Sequence, residues 1–545
     1  MKRRNVLKGI ALGLSSLYLS KSYAGALLNA PYSAGPFKPT WDSLSQYRVP
    51  EWFRDAKFGM WAHWGPQCQP EFGDWYAREM YMEGGWKYNY HVQKYGHPSK
   101  FGFKDVINEW KAEQWNPEEL VALYKKAGAK YFMAMANHHD NFDMWDSKYQ
   151  RWNAARMGPK KDIIAGWARA AKNNDLRFGV SVHAAHAWSW METAQRADKT
   201  GPMAGIPYDG HLTKADGKGK WWEGEDPQEL YAQNHALSEN SQDNGMIHKQ
   251  WAWGNGVSVP TKAYCEKFYH RTIELLDKYS PDVIYFDDTV LPLWPVSDAG
   301  LRIAAHMYNT SIKRHGKLEA VLFGKVLNDQ QRKCMVLDIE RGQSNIIESE
   351  PWQTDTCLGN WHYERSLYDN NGYKTAETVI HALVDVVSKN GNLMLNVPVR
   401  GNGTIDDKER AVVEGITEWM RINSESIYNT RPWTTLGEGP ALEDVAPLVM
   451  QGFNEGKGKP FSAADFRFVK KGNVLYATML GWPGNNQAII KKLALNSVPK
   501  VQRVSLLGAD APLDFEQTGE GLKINLPQNR PGNIAYVFKI NGAIA

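Results

Sequence analysis

Several short stretches of the chain end in side chains able to do chemistry. They are His63-Trp64-Gly65, Asn137-His138-His139-Asp140, His183, Asp287-Asp288 and Glu340-Arg341. Each lies just past an apolar run of strand-like texture, and their types allow three kinds of site. His63, His138, His139, His183, His186 and Asp287 offer the nitrogen and oxygen donors of a metal hydrolase. The acids offer the two carboxyl groups, nucleophile and proton donor, that flank an anomeric carbon in a glycosidase, about 5 to 5.5 Å apart in a retaining one. With 23 Trp and 25 Tyr, the chain could also bind sugars on aromatic faces without catalysis. A single strand-end histidine is commonly structural, so it is the convergence of five such ends that points to a site. A metal barrel commonly opens with His-x-His on its first strand. Here Trp61-Ala-His-Trp64 has one histidine, which weakens the metal reading.

These ends need a scaffold that brings them together. Strands are expected at 57–64, 130–136, 177–183, 282–287, 319–323, 335–339, 352–356 (weak) and 392–397, with helices at 117–127, 161–173, 261–278, 298–314, 375–388 and 406–423. Eight strands with interleaved helices fit a (β/α)8-like barrel, whose chemistry sits at the carboxyl ends of its strands. No Gly-x-Gly-x-x-Gly follows the first strand to suggest a nucleotide fold. A length of about 400 residues against the usual ~250 requires long βα loops. Two are evident, 71–115 and 184–260, both rich in aromatic residues. After Trp433 the helical period gives way to short alternating runs separated by Gly, Pro and Asn, the pattern of a C-terminal antiparallel β-sandwich over 434–545. The catalytic barrel is thus expected over 27–433.

Residues 1–26 read as an export signal. A basic segment holding Arg3-Arg4 precedes an apolar stretch over 9–20, and Ala24-Gly-Ala26 offers a small-residue cleavage site. The adjacent arginines resemble a twin-arginine signal, which implies a bacterial protein, periplasmic or secreted. Twelve apolar residues are too short to span a bilayer, so no membrane association is expected after removal. The formal charge of +4 carries five bases from this segment, which holds no acid; the remainder has 59 basic and 60 acidic residues, a net of −1. That balance argues against a nucleic-acid partner. Cys68, Cys265, Cys334 and Cys357 are too sparse for a disulfide framework and lie in no metal-like spacing.

An ordered series of motifs carries a family resemblance. It runs Glu51-Trp-Phe-Arg-Asp-Ala-Lys-Phe-Gly-Met-Trp-Ala-His-Trp-Gly65, Gly73-Asp-Trp-Tyr76, Ala127-Gly-Ala-Lys-Tyr-Phe132, His138-His-Asp140, Phe142, Trp145-Asp-Ser147 and Ser280-Pro-Asp-Val-Ile-Tyr-Phe-Asp287. It continues through Trp352-Gln-Thr-Asp-Thr-Cys357, Val387-Ser-Lys-Asn-Gly-Asn-Leu-Met-Leu-Asn396, Asp406, Ile427-Tyr-Asn-Thr-Arg-Pro-Trp433 and Leu480-Gly-Trp-Pro483. Over about residues 40–540 the chain resembles the α-L-fucosidases of glycoside hydrolase family 29. The resemblance implies a retaining exo-glycosidase acting on a fucosylated oligosaccharide or glycan, with no metal and no organic cofactor.

The same resemblance assigns Asp287 as nucleophile, while Asp288 stands where the family usually has Gly. It places His63, Asp74, Trp75, His138, His139, His183, Arg341 and Trp352 around the sugar; Asp74 replaces a commoner Glu and Asn137 a commoner Lys. Several members carry a Glu after the tryptophan matched by Trp352, but here Gln353 stands there, and an amide is no proton donor at working pH. The members sharing Glu-Arg-Gly point to Glu340 as acid/base. Glu348 and Glu350 are alternatives, and Glu223 and Glu225 of the long insertion a further pair. Strand alternation opposes Glu340, because neighbours face opposite ways and Arg341 is also expected to face inward.

Overall fold

The computed structural model describes residues 32–232, 235–443 and 454–544, so the expected export signal lies outside the described residues. Eight parallel strands close in chain order into a barrel: β1 (Phe58–Ala62), β2 (Tyr131–Asn137), β3 (Arg177–Val182), β4 (Val283–Phe286), β5 (Val321–Gly324), β6 (Val336–Glu340), β7 (Trp352–Cys357) and β8 (Gly391–Asn396). Their apolar runs follow from burial on both faces, with helices outside and packed side chains within. Gly59 admits the Tyr131 ring, which would lie 2.3 Å from any Cβ at that position. The Tyr131 hydroxyl donates to Gln353 Oε1, and Gln353 Nε2 donates to Asp338 Oδ1, both at 2.8 Å. These bonds link polar side chains across the barrel interior.

The outer layer includes α1 (Pro117–Lys126), α2 (Ile163–Asn173), α3 (Lys262–Tyr279), α4 (Ala299–His315), α5 (Ala376–Ser388) and α6 (Asp407–Asn423). Their starts are set locally. Asn116, Asp162, Thr261 and Thr375 accept backbone N–H groups of the first turn, and Asp406 with Glu409 forms a capping box. The β5–β6 connection holds only a 3-10 turn at Gln331–Lys333, and β6–β7 holds no helix. This sector of the barrel therefore has loops where the others have helices. No helix among the described residues is long and apolar enough to cross a membrane, and all four cysteines are buried and unpaired.

The remaining strands are β9 (Arg431–Glu438), β10 (Phe466–Lys471), β11 (Val474–Met479), β12 (Gln487–Ile490), β13 (Arg503–Leu506), β14 (Phe515–Thr518), β15 (Gly521–Asn525) and β16 (Tyr536–Asn541). They form antiparallel sheets ordered β13-β16-β11-β10-β9 and β12-β15-β14, around a core that includes Phe466, Phe468, Ile490, Leu522 and Phe538. The change of texture after Trp433 falls inside β9, so this sheet begins before the expected boundary. Buried Arg467 of β10 pairs with Asp385 of α5 at 2.5 Å, and Lys389 pairs with the same carboxylate. Breaking such a buried pair costs about 3 to 5 kcal/mol, so the sandwich is held firmly to the barrel. The segment entering β10 also reaches the barrel rim. Glu455 accepts from Arg341 Nε and Thr356 Oγ1 and pairs with Lys374, while Asn454 exchanges hydrogen bonds with the Gln343 backbone.

Candidate active site

A cavity of about 800 Å³ opens at the carboxyl ends of the strands. Its lining includes His63, Asp74, Trp75, His138, His183, Asp287, Glu340 and Arg341, and His139 touches Asp287 from behind. Asp287 follows β4 directly. Its Oδ2 lies 3.0 Å from His139 Nε2 and 3.2 Å from His183 Nδ1, and its Oδ1 accepts from Lys325 Nζ at 2.8 Å. Burial alone would push this carboxyl up, but the Lys325 ammonium and the two histidine contacts hold it well below the usual carboxylate range.

Asp288 turns the other way. Its Oδ1 accepts from the Thr289 N–H and its Oδ2 lies 3.2 Å from His186 Nε2. The His186 ring is sandwiched between Trp251, at 4.0 Å, and Trp253, at 4.7 Å. Asp288 thus lies against His186 at the start of the 184–260 insertion, and Trp251 from that insertion forms part of the cavity wall with Asn244 and His248.

Glu340 ends β6 on the same face as Asp338, and its Oε2 accepts from Lys325 Nζ at 2.5 Å. Burial first, and then the charge of Asp287, push Glu340 above the usual carboxylate range, while Lys325 opposes the rise. The alternation argument against it fails for a local reason. Arg341 has φ = 43°, so the extended backbone stops at Glu340 and both consecutive side chains reach the cavity. A non-glycine residue in this left-handed region is strained; the Glu455 contacts and the bond from the Glu455 N–H to the Arg341 carbonyl hold it there.

The acids weighed as alternative donors lie elsewhere. Glu348 is buried against Ser344 and Arg332 beside the loop that enters β8, at the amino ends of the strands. Glu350 is exposed two residues before β7. Trp352, expected at the sugar, opens β7 instead, is 1% exposed and donates to the Lys389 carbonyl, so it does not reach the cavity. A side chain at the start of a parallel strand faces the end of the barrel opposite its catalytic rim. In the insertion, Glu225 pairs with Arg151 and Glu223 accepts from the Gly219 N–H, both outside the cavity lining.

Burial, and for His63 and His138 the neighbouring imidazoles, hold His63 and His138 well below the usual histidine range, and His183 is lowered to about 4. His138 Nδ1 meets Gln67 Nε2 at 2.8 Å. Asp74 accepts from the backbone N–H groups of Trp361 and His362 and lies 3.2 Å from His362 Nδ1, which packs that ring against His63 and His138. Trp75, at φ = 62°, stacks on His248. Among the described residues neither His63 nitrogen has a hydrogen-bond partner. Trp61, Tyr285 and Trp361 supply apolar walls. Sequence reasoning missed Lys325, His362, Tyr285 and Trp251. Lys325 directly follows β5 and would have been found by carrying the expected 319–323 strand two residues further.

An ionised carboxylate and a carboxyl with raised proton affinity therefore face the same aromatic-walled cavity, and one ammonium touches both. The wider chain matches the α-L-fucosidase model over residues 26–425 and the α-L-fucosidase C-terminal domain model over 460–541. The chain belongs to the α-L-fucosidase family. It is a glycoside hydrolase built on a barrel with a C-terminal β-sandwich, as the resemblance of its motifs led us to expect. It is 24% identical over 532 residues to the tissue α-L-fucosidase of Rattus norvegicus, covering 96% of this chain and 94% of that one. With the plasma α-L-fucosidase of Homo sapiens it shares 25% identity over 508 residues, 91% and 90% of the two chains. The Thermotoga maritima α-fucosidase in complex with a mechanism-based inhibitor superimposes with a TM-score of 0.67 at 25% identity, covering 93% of this chain and all of that one. The same enzyme in complex with fucose gives 0.64, also at 25% identity, over 92% and 99%.

Proposed function

We propose that the protein is a retaining exo-α-L-fucosidase that releases terminal α-L-fucosyl residues from glycans by double displacement. The observation that carries this reading is the shared contact of Asp287 Oδ1 and Glu340 Oε2 with Lys325 Nζ, at 2.8 and 2.5 Å. Two oxygens bonded to one nitrogen can be no farther apart than the two bonds laid end to end. That limit, set by one oxygen of each carboxyl, is compatible with the about 5 to 5.5 Å between the carboxyl groups of retaining glycosidases. In the first step Asp287 attacks C1 as Glu340 protonates the departing glycosidic oxygen, leaving a glycosyl ester. In the second, Glu340 takes a proton from water, which attacks C1 and frees Asp287. The neutral histidines hydrogen-bond the sugar hydroxyls and the indole and phenol walls cover its apolar face. The relatives' names and the fucose complex of the Thermotoga maritima enzyme support fucose as the sugar. Proton NMR of an aryl α-L-fucoside during the first turnovers should show α-fucose as the first-formed anomer. β-Fucose would replace this mechanism with single displacement, and tight fucose binding without turnover would make the protein a sugar-binding relative.

One observation favours a second reading. Nitrogens of His63, His138 and His362 lie within 4.8 Å of one another, a donor set that a zinc ion would accept. In the neighbouring set of His138, His139 and His183, both nitrogens of His139 and of His183 are already engaged. Under the fucosidase reading, prolonged incubation with EDTA leaves kcat/KM unchanged. A loss reversed by zinc or manganese would move the chemistry onto the histidines.

A further inference from the structure

Lys325 is the first residue after β5, and its side chain is 12% exposed. Its ammonium sits among groups from three other strands. Asp287 and Tyr285 come from β4 and its end, the latter with its ring centroid 5.1 Å from Nζ; Asp338 and Glu340 come from β6, and Asp355 from β7. His139 and His183 hold the other oxygen of Asp287, and Arg341 adjoins Glu340. Asp338 and Asp355 are fully buried. Burial raises Asp338 to about 7 and Asp355 well above its usual value, so both carry protons through much of the acidic range. That leaves Asp287 and Glu340 as the carboxyls that compete for the Lys325 ammonium.

We infer that Lys325 is a positioning residue that supplies one counter-charge to whichever of Asp287 and Glu340 is ionised, and that its ion pair passes from the first to the second as the glycosyl ester forms. The inference rests on the roles proposed above for those two acids. Before reaction, Asp287 is an anion and Glu340 holds a proton. Attack forms the bond from Asp287 to C1 and breaks the bond from C1 to the leaving oxygen, which receives the Glu340 proton. Asp287 is then a neutral ester and Glu340 the anion. The sum over the two acids is −1 on both sides, and the ammonium, already 2.5 Å from Glu340, needs no displacement to meet the new charge. Water then attacks C1, its proton goes to Glu340, and the pair returns to Asp287. A lysine does this as a point charge on a flexible stem.

The test compares Lys325→Met, Lys325→Gln and Lys325→Arg with the wild type, as pH profiles of kcat/KM on a fucosyl oligosaccharide, whose sugar leaving group needs the Glu340 proton. An opposite charge at contact distance moves a carboxyl by about one to three units. Removing it should shift both the acidic limb, set by Asp287, and the basic limb, set by Glu340, upward by about one unit or more. We expect kcat to fall about 10²-fold at the wild-type optimum in the Met and Gln variants, and Lys325→Arg to keep both limbs near their original positions. Melting temperature and fucose titration calorimetry identify any variant that has lost its fold, and the variants that keep it decide the matter. Limbs that stay in place in a folded neutral variant, with or without loss of rate, overturn the inference. If azide fails to restore Asp287→Ala, the underlying mechanism fails; if azide succeeds while the limbs do not move, only the role of Lys325 is lost.

Discussion

Asp287→Ala should lower hydrolysis of an aryl α-L-fucoside by at least about 10³-fold while the protein keeps its fold, because covalent catalysis loses its nucleophile. The fold should survive because Lys325 retains Glu340 as a partner, and His139 and His183 retain bonds to the His183 carbonyl and to Ser181. Azide, small enough for the space the carboxylate vacates, should restore part of the rate and yield a β-fucosyl azide, the product of a single displacement. The control is the neighbouring acid. Asp288 faces His186 and the tryptophans that sandwich it, so Asp288→Asn should keep turnover within about tenfold. Near-normal turnover in Asp287→Ala combined with collapse in Asp288→Asn would exchange the two assignments.

The second large effect belongs to Glu340→Gln, and its signature is dependence on the leaving group. Natural fucosides, whose sugar alkoxides need protonation to depart, should lose about 10² to 10⁴ in kcat/KM; aryl fucosides with acidic phenols should lose far less. The pH profile supplies a second readout. Burial and Asp287 raise the Glu340 carboxyl, so it stays protonated above the usual carboxylate range and activity is lost as pH rises through its value. Glutamine should abolish that basic limb and leave the acidic one. Glu348→Gln and Glu350→Gln should have little effect on either substrate class. An equal loss on every substrate in Glu340→Gln would reduce Glu340 to a structural partner of Lys325.

Most of the scaffold was readable because barrel strands are buried on both faces, which writes short apolar runs bounded by turns. β7 was the faint one, and its composition explains why. Gln353 and Asp355 point into the barrel, where Asp338 meets them, so polar residues occupy positions at which a strand pattern expects apolar ones. Polar strand ends marked residues that the fold does bring to one cavity, Asp287, His63, His138, His183 and Glu340. Trp352 lies away from the cavity because a matching motif fixes position along the chain, not the end of the barrel at which it emerges, and the loop that carries Glu348 and Glu350 leads to that same end. The inward turn of both Glu340 and Arg341 depends on one left-handed residue held by Glu455, over a hundred positions away. No local pattern in the sequence encodes such a contact.

That contact also bears on how such a protein can evolve. Appended β-sandwiches in sugar-active enzymes are easily pictured as interchangeable parts, gained or exchanged without touching the chemistry. Here the strand-leading segment of the sandwich supplies the carboxylate that fixes Arg341 on the catalytic rim, and its neighbour Asn454 ties down Gln343 two residues further on. A recombination event that exchanged the sandwich would deliver a new module and at the same time release the turn that directly follows the acid. The two parts are therefore inherited together, and substitutions at Arg341 and Glu455 are expected to be tied to one another across descent.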